Sequence, residues 1–305
     1  MQINKAFVEA LQKVLPAEHI LLNEPMSRHT TFKIGGPADC LIFPASMDEV
    51  KNVFDLLHEY EIPFTVLGNG SNVLVLDKGI RGATVKFNSP MSYIYNENEH
   101  IFVGAGAPLK DVSQYAAKCS LTGMEFAVGI PGSIGGAVFM NAGAYDGEIK
   151  NIVRSVKAVT VNGEIVKYSA EQLAFGYRHS IFQENGYAIC EVEIVLKEGQ
   201  PEEIKEKMDG LTKRRESRQP LEMPSAGSTF KRPQGYFAGT LIEESGLKGF
   251  KVGGAQISLK HAGFVVNAGG ATAEDVLKLI KEVQKRVYER HGIKLFPEVR
   301  MMGEQ

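Results

Sequence analysis

Three short stretches carry side chains that could do chemistry: FGYRHSIF, PSAGSTFKRP and LFPEVRMMGE. In the first, Arg178 is a fixed cation among apolar and aromatic neighbours. A guanidinium there can clamp a carboxylate through two parallel hydrogen bonds, or serve as one half of a structural salt bridge. In the second, Ser228 follows Gly227 and precedes Lys231 and Arg232, so a hydroxyl lies close in sequence to two cations. That pattern suits a proton donor to an anionic substrate, and it equally suits a serine that satisfies its own turn. In the third, Glu298 follows Pro297 and is either a buried catalytic carboxylate or the partner of Arg300. No GxSxG elbow surrounds Ser228, which weakens a serine-hydrolase reading. His29, His179 and His261 are dispersed without HxxxH or HExxH spacing, so no metal site is expected.

Two glycine-rich loops are the other candidates. GNGSN comprises Gly68, Asn69, Gly70, Ser71 and Asn72; GIPGSIGG contains Gly129, Pro131, Gly132, Ser133, Gly135 and Gly136. Glycine permits backbone N–H groups to approach a phosphate closely, where a side chain would block them. The dinucleotide fingerprint GxGxxG fails at both Gly-x-Gly sites, because Val73 and Leu109 occupy the last position, and no Gly-Lys pair exists to make a Walker A loop. The loops lie about sixty residues apart and each abuts apolar runs that can hold it rigid. Together they could enclose a pyrophosphate, with Asn69, Ser71, Asn72 and Ser133 as uncharged donors; alone, each could be a turn that caps itself.

Positioning these groups requires a substantial scaffold, and 305 residues at 44% hydrophobic supply one, with length enough for two or three domains. A net charge of -2 gives no global reason to expect nucleic acid or an anionic membrane as partner, so an anionic ligand must be met by local charge. Cys40, Cys119 and Cys190 are widely spaced, which points to reduced thiols and a cytoplasmic setting. The N-terminus lacks a signal-peptide pattern, and no run approaches the roughly 18 apolar residues of a membrane span.

Local signals then place the elements. Ser46 and Glu49 have capping-box spacing ahead of Val50, Val53, Phe54 and Leu57, predicting a helix to about Tyr60. IPFTVLGNGSNVLVL reads as two strands around a tight polar loop, Tyr93 to Gly106 as a hairpin, and PLKDVSQYAAKCSL as a helix. Asn162-Gly163 between β-branched runs predicts a type I' hairpin turn. A composition shift at Pro201 places a domain boundary near residue 200, ahead of a charged helix. Thr272 and Gly292 delimit the last helix, whose Val276, Leu279, Ile280, Val283 and Val287 are core positions. Strand-rich stretches with separated helices argue for α+β rather than a doubly wound parallel sheet.

Seven segments in one order, HTTFKIGGPAD, VLGNGSNVLV, GIPGSIGGAVFMNAGAY, FGYRHSIF, SAGSTFKRP, HAGFVVN and PEVR, resemble the UDP-N-acetylenolpyruvoylglucosamine reductase (UDP-N-acetylmuramate dehydrogenase) family. They span residues 29 to 300. The resemblance implies a two-subdomain PCMH-type FAD-binding fold, here residues 1–88 and 89–199, followed by a smaller α+β domain, 200–305, that binds the UDP-sugar. It implies noncovalent FAD, NADPH as reductant and reduction of UDP-N-acetylglucosamine-enolpyruvate to UDP-N-acetylmuramate, a cytoplasmic step of bacterial peptidoglycan synthesis. By motif, Arg178 becomes the carboxylate clamp, Ser228 the proton donor and Glu298 the third catalytic group. The two glycine loops and Asn141 become the cofactor contacts, and Arg218, Lys231 and Arg232 the contacts to the uridine diphosphate. Arg214 and Arg215 are weaker candidates, being explicable as a solvated helix face. No extra tyrosine-bearing loop lies between Arg178 and AGSTF, so the chain resembles the shorter, second type of the family. The alternatives are another FAD oxidoreductase of the same fold and a nonenzymatic UDP-sugar or nucleotide sensor. The oligomeric state is not readable.

Overall fold

Ser46 caps the helix Met47–Glu59 by accepting from Glu49 N–H, while the Glu49 carboxylate reaches back one residue further than a capping box would, to Ala45 N–H at 2.7 Å. Val50, Val53, Phe54 and Leu57 form its buried stripe. The computed structural model to which this helix belongs describes residues 3–87 and 89–305; the boundary expected after residue 88 falls on Asn88, outside the described residues. The chain forms two compact units, one of residues 1–22, 40–69 and 82–215 and the other of 23–39, 70–81 and 216–305.

The first unit is built on a five-stranded antiparallel sheet in the order Ile165–Ser169, Val153–Val159, Ala188–Val195, His100–Gly104, Ile94–Glu97. It also holds residues 20–22, 40–42, 64–67 and 82–86 of a four-stranded sheet, where Phe64–Leu67 pairs in parallel with Ala83 to Lys86. Helices Lys5–Val14, Met47–Glu59, Leu109–Lys118 and Ile134–Phe139 pack on these strands through one apolar core that includes Phe7, Phe54, Val103, Ile134 and Val192. The charged helix Pro201–Arg218 buries Ile204 and Met208 against Val128.

The hairpin at Asn162-Gly163 forms, but its turn is not type I'. Only Gly163 has positive φ, +80°; Gly163 N–H donates to Thr160 O at 3.0 Å and Thr160 N–H to Glu164 O at 2.8 Å. This is a type I turn followed by a left-handed glycine, the usual three-residue hairpin. Thr160 selects it, since its hydroxyl accepts from both Asn162 N–H and Glu164 N–H and so holds the first half of the turn right-handed. A Cβ at Gly163 would also displace the Asp55 carboxylate.

In the second unit, the antiparallel sheet Ser225–Ser228, Phe264–Asn267, Ala255–Ile257, Lys251–Val252 packs with the helix Ala273–His291. Thr272 and Asp275 complete a reciprocal capping box, Gly292 ends the helix at φ +69°, and Val276, Leu279, Ile280, Val283 and Val287 are all buried. The strand resuming after GNGSN, Val73–Val75, pairs in parallel with Arg300–Met302 in this unit, which is how residues 70–81 come to lie with the C-terminal third. Antiparallel sheets with segregated helices make the fold α+β.

Candidate active site

Within the first unit the two glycine-rich loops touch. A Cβ on Gly68 would stand 2.8 Å from Ser133 Oγ and 3.7 Å from Gly136 Cα. Ser133 is buried and caps the helix Ile134–Phe139, its hydroxyl accepting from Gly136 N–H at 3.3 Å. Gly135 N–H is taken by Ala105 O and Ile134 N–H by Ala107 O, and a Cβ on Gly135 would meet Ala105 Cβ at 2.9 Å. The N–H groups of Gly135 and Gly136 are therefore already committed to the scaffold, whereas those of Gly132 and Ser133 have no hydrogen-bond partner among the described residues. Gly132 sits at φ +137°, which favours glycine. Pro131, next to it, is exposed.

A cation completes this corner. The Arg215 side chain lies under Gly129, where a Cβ would be 2.6 Å from Arg215 Cδ, and Arg215 Nε is buried with no hydrogen-bond partner. Burial lowers the Arg215 pKa from its ordinary value, opposed by the neighbouring Tyr145. A buried guanidinium N–H left unsatisfied favours an incoming anion. Arg214, one residue earlier, lies over the Tyr145 ring at 5.3 Å. The sequence makes both arginines weaker candidates for the uridine diphosphate; the structure puts them in the first unit, and the side-chain packing singles out Arg215. Two open N–H groups, an orphaned guanidinium N–H and two loops in which a side chain at Gly68 or Gly129 would displace Ser133 or Arg215 form a donor set that fits the pyrophosphate of FAD.

Asn141, expected among the cofactor contacts, is used otherwise. Its Nδ2 donates to Glu148 Oε2 and Gly176 O, both at 2.9 Å, and its Oδ1 accepts from Lys150 N–H at 3.0 Å. Both amide donors are spent, so its role is to hold the segment that carries Arg178. Arg178 itself is left-handed at φ +54°, inside a tight turn closed by reciprocal hydrogen bonds between Gly176 and His179. Its guanidinium lies 5.3 Å from the centroid of the exposed Tyr177 ring.

In the second unit the segments that carry Ser228 and Glu298 run side by side, with Thr229 facing Glu298. Glu298 N–H donates to Thr229 O at 2.8 Å, Lys231 N–H donates to Phe296 O at 2.8 Å, and Phe230 bridges Pro297 antiparallel, so two extended segments far apart in the chain are adjacent. Ser228 is exposed, and Glu298 half-buried. Between Ser225 and Ser228 the strand bulges, with Gly227 at φ +74°, and a bulge of this kind re-aims the side chain that follows. Asn72 joins them: its Nδ2 donates to Glu298 O at 3.4 Å and its carbonyl accepts from Arg300 N–H at 2.9 Å. Gly70 packs against His29 and accepts from Thr31 N–H at 3.1 Å. Asn69 falls in the first unit and Ser71 in the second, so GNGSN is split between them.

Arg218, Lys231 and Arg232 are exposed, and Arg232 stacks 4.1 Å from the Phe237 ring centroid. His29, His179 and His261 stand apart, His29 and His179 each beside a glutamate at 3.0 Å and His261 accepting from Gly263 N–H. Among the described residues no helix is long and apolar enough to cross a membrane.

Residues 219–302 match the model for the C-terminal domain of UDP-N-acetylenolpyruvoylglucosamine reductase, and residues 38–169 match an FAD binding domain. The chain is 52% identical over 297 residues, 97% of each chain, to the UDP-N-acetylenolpyruvoylglucosamine reductase of Clostridium perfringens strain 13. It is 50% identical over 298 residues, 98% of each chain, to that of Caldanaerobacter subterraneus subsp. tengcongensis. The crystal structure of UDP-N-acetylenolpyruvylglucosamine reductase from Thermus caldophilus superposes with a TM-score of 0.80 at 38% identity, covering 93% of this chain and 98% of that one. This chain belongs to the UDP-N-acetylenolpyruvoylglucosamine reductase family.

Proposed function

We propose that Arg178, Ser228 and Glu298 carry the family's reaction, the NADPH-driven, FAD-dependent reduction of UDP-N-acetylglucosamine-enolpyruvate to UDP-N-acetylmuramate. The carrying observation is the Glu298 N–H to Thr229 O hydrogen bond, which sets Ser228 and Glu298 on neighbouring segments of one unit. Bound FAD, reduced by NADPH, supplies the hydride that reaches the terminal carbon of the enol ether.

The chain's own groups supply the rest. Addition at that terminal carbon builds negative charge on the α-carbon and its carboxylate, and the Arg178 guanidinium pairs with the carboxylate. The Ser228 hydroxyl gives its proton to the α-carbon, and Glu298 polarises the intermediate or relays a proton. A serine hydroxyl is a weak acid, so its use requires a strongly basic acceptor held in fixed geometry, and the bulge at Gly227 sets where the Ser228 side chain leaves the backbone. Arg218, Lys231 and Arg232 meet the uridine diphosphate, while Gly68, Asn69, Gly70, Ser71, Asn72, Gly129, Pro131, Gly132 and Ser133 line the cofactor, with Arg215 added to them.

Residues 1–88 and 89–199, joined by Arg215, hold FAD in this reading, the rest of residues 200–305 receive the UDP-sugar, and the enzyme works in the cytoplasm. Ser228→Ala tests the assignment. Flavin reduction by NADPH should stay within about twofold of the parent, while reoxidation by the enolpyruvyl substrate slows by about a hundredfold or more, the range of a lost general acid. Equal loss in both half-reactions would remove Ser228 from the proton-donor role.

A further inference from the structure

The Arg178 turn is held from outside itself, by one side chain at each end. Gln183 Nε2 donates to Arg178 O at 2.9 Å and to Phe139 O at 2.9 Å. Phe139 ends the helix Ile134–Phe139, and its carbonyl is among those the helix leaves unsatisfied; Ser180 Oγ donates to it as well, at 2.8 Å. A carboxamide nitrogen has two donors, so both are accounted for by these two carbonyls. At the other end of the turn, Asn141 Nδ2 donates to Gly176 O at 2.9 Å.

We propose that Gln183 is a positioning residue for Arg178: its one carboxamide fastens the Arg178 turn to the end of the helix that follows the glycine-rich loop. A non-glycine residue held left-handed, as Arg178 is at φ +54°, relaxes unless its surroundings over-determine it. With the Gln183 donors removed, the guanidinium would sample orientations in which it no longer meets a carboxylate with two parallel hydrogen bonds. The loop preceding the helix would stay in place, because Ser133, Ala105 and Ala107 hold it independently. The Gln183 clamp therefore separates substrate orientation from cofactor retention.

This inference rests on Arg178 being the carboxylate clamp, and the test separates the two claims. Gln183→Met keeps length and volume but has no N–H. In the FAD-loaded protein, we expect flavin content and the rate of reduction by NADPH to stay within about twofold of the parent. KM for UDP-N-acetylglucosamine-enolpyruvate should rise and the reoxidation rate should fall, with kcat/KM down about tenfold. Arg178→Ala should lower kcat/KM further, and Gln183→Met added to Arg178→Ala should then change nothing more, since a positioner has no effect without the group it positions. If Arg178→Ala leaves reoxidation unchanged, the clamp reading itself fails. If Arg178→Ala slows reoxidation but Gln183→Met does not, or if Gln183→Met has its full effect in the Arg178→Ala background, the positioning role is overturned. Loss of flavin, of folding or of both half-reactions equally in Gln183→Met would also overturn it, by making Gln183 a general structural residue.

Discussion

The contact between the two glycine-rich loops can be tested with a single methyl group. Gly68 has no positive φ, so alanine suits its backbone, and the cost of Gly68→Ala is purely steric. The new Cβ would sit 2.8 Å from Ser133 Oγ, closer than a Cβ approaches an oxygen, so the hydroxyl must move. Ser133 is 2% exposed and its hydroxyl caps the helix Ile134–Phe139, so moving it forfeits the cap. Losing a cap costs about 1 kcal/mol, and overpacking a rigid site adds ~1–3 kcal/mol. The expected penalty is thus ~2–4 kcal/mol, seen as a fall in Tm of roughly 5 °C or more in the FAD-free protein and as weaker FAD retention. Ser133→Ala alone should cost only the cap. In that background the hydroxyl is gone, and Gly68→Ala should then be tolerated within about 0.5 kcal/mol. The assay is thermal unfolding of the four proteins, with flavin content by absorbance. Additive penalties, or a Gly68→Ala protein as stable as its parent, would show that the loops do not meet through Ser133.

Two further expectations follow from buried charge. Arg215→Met keeps the packing under Gly129 but removes the orphaned N–H, and should weaken FAD binding by about tenfold, as expected for a lost hydrogen bond to a charged partner; unchanged affinity by flavin titration would take Arg215 out of the cofactor site. Glu125 is 2% exposed, and burial alone would raise its pKa, but hydrogen bonds from Thr122 Oγ1 and Gly123 N–H and the Lys207 ammonium at 3.3 Å outweigh burial and leave it lowered. A depressed carboxyl contributes stability that is present above its unfolded value, about pH 4.3, and is lost as pH falls through the folded value. Glu125→Gln should therefore cost ~1.5–3 kcal/mol at pH 7 in urea unfolding, with the gap to the parent narrowing below about pH 4; a pH-independent gap would refute this account.

What the sequence makes legible here is local chemistry. Ser46, Thr272 and Gly292 announce helix ends because caps are satisfied within three or four residues. The hairpin at Asn162-Gly163 is legible, yet its turn type is decided by the Thr160 hydroxyl, a competing hydrogen-bond acceptor that a two-residue motif does not register. Arg178, Ser228 and Glu298 can be singled out by type and setting. The pairing of Val73–Val75 with Arg300–Met302 cannot, because it joins parallel strands more than two hundred residues apart and leaves no periodic mark. Arg215 is legible only as a weaker candidate: on a helix of charged residues, its burial beneath Gly129 is what distinguishes it from its neighbours.

The glycines of GIPGSIGG acquire separate explanations once their neighbours are known. Gly129 makes room for the Arg215 side chain, Gly135 for Ala105, and, from the partner loop, Gly68 for the Ser133 hydroxyl. None of these three omits a side chain for the direct benefit of a phosphate. They let the loops close on one another and on the Arg215 side chain, and the N–H groups of Gly132 and Ser133 and the Arg215 Nε have no hydrogen-bond partner among the described residues. As the proposed phosphate cradle, this construction would depend on packing around the anion's donors more than on clearance at the anion itself. It also explains why neither the dinucleotide fingerprint nor the Walker spacing is present: those motifs encode clearance along a single turn, whereas here the spacing that matters is between Gly68 and Ser133, on two loops far apart in the chain.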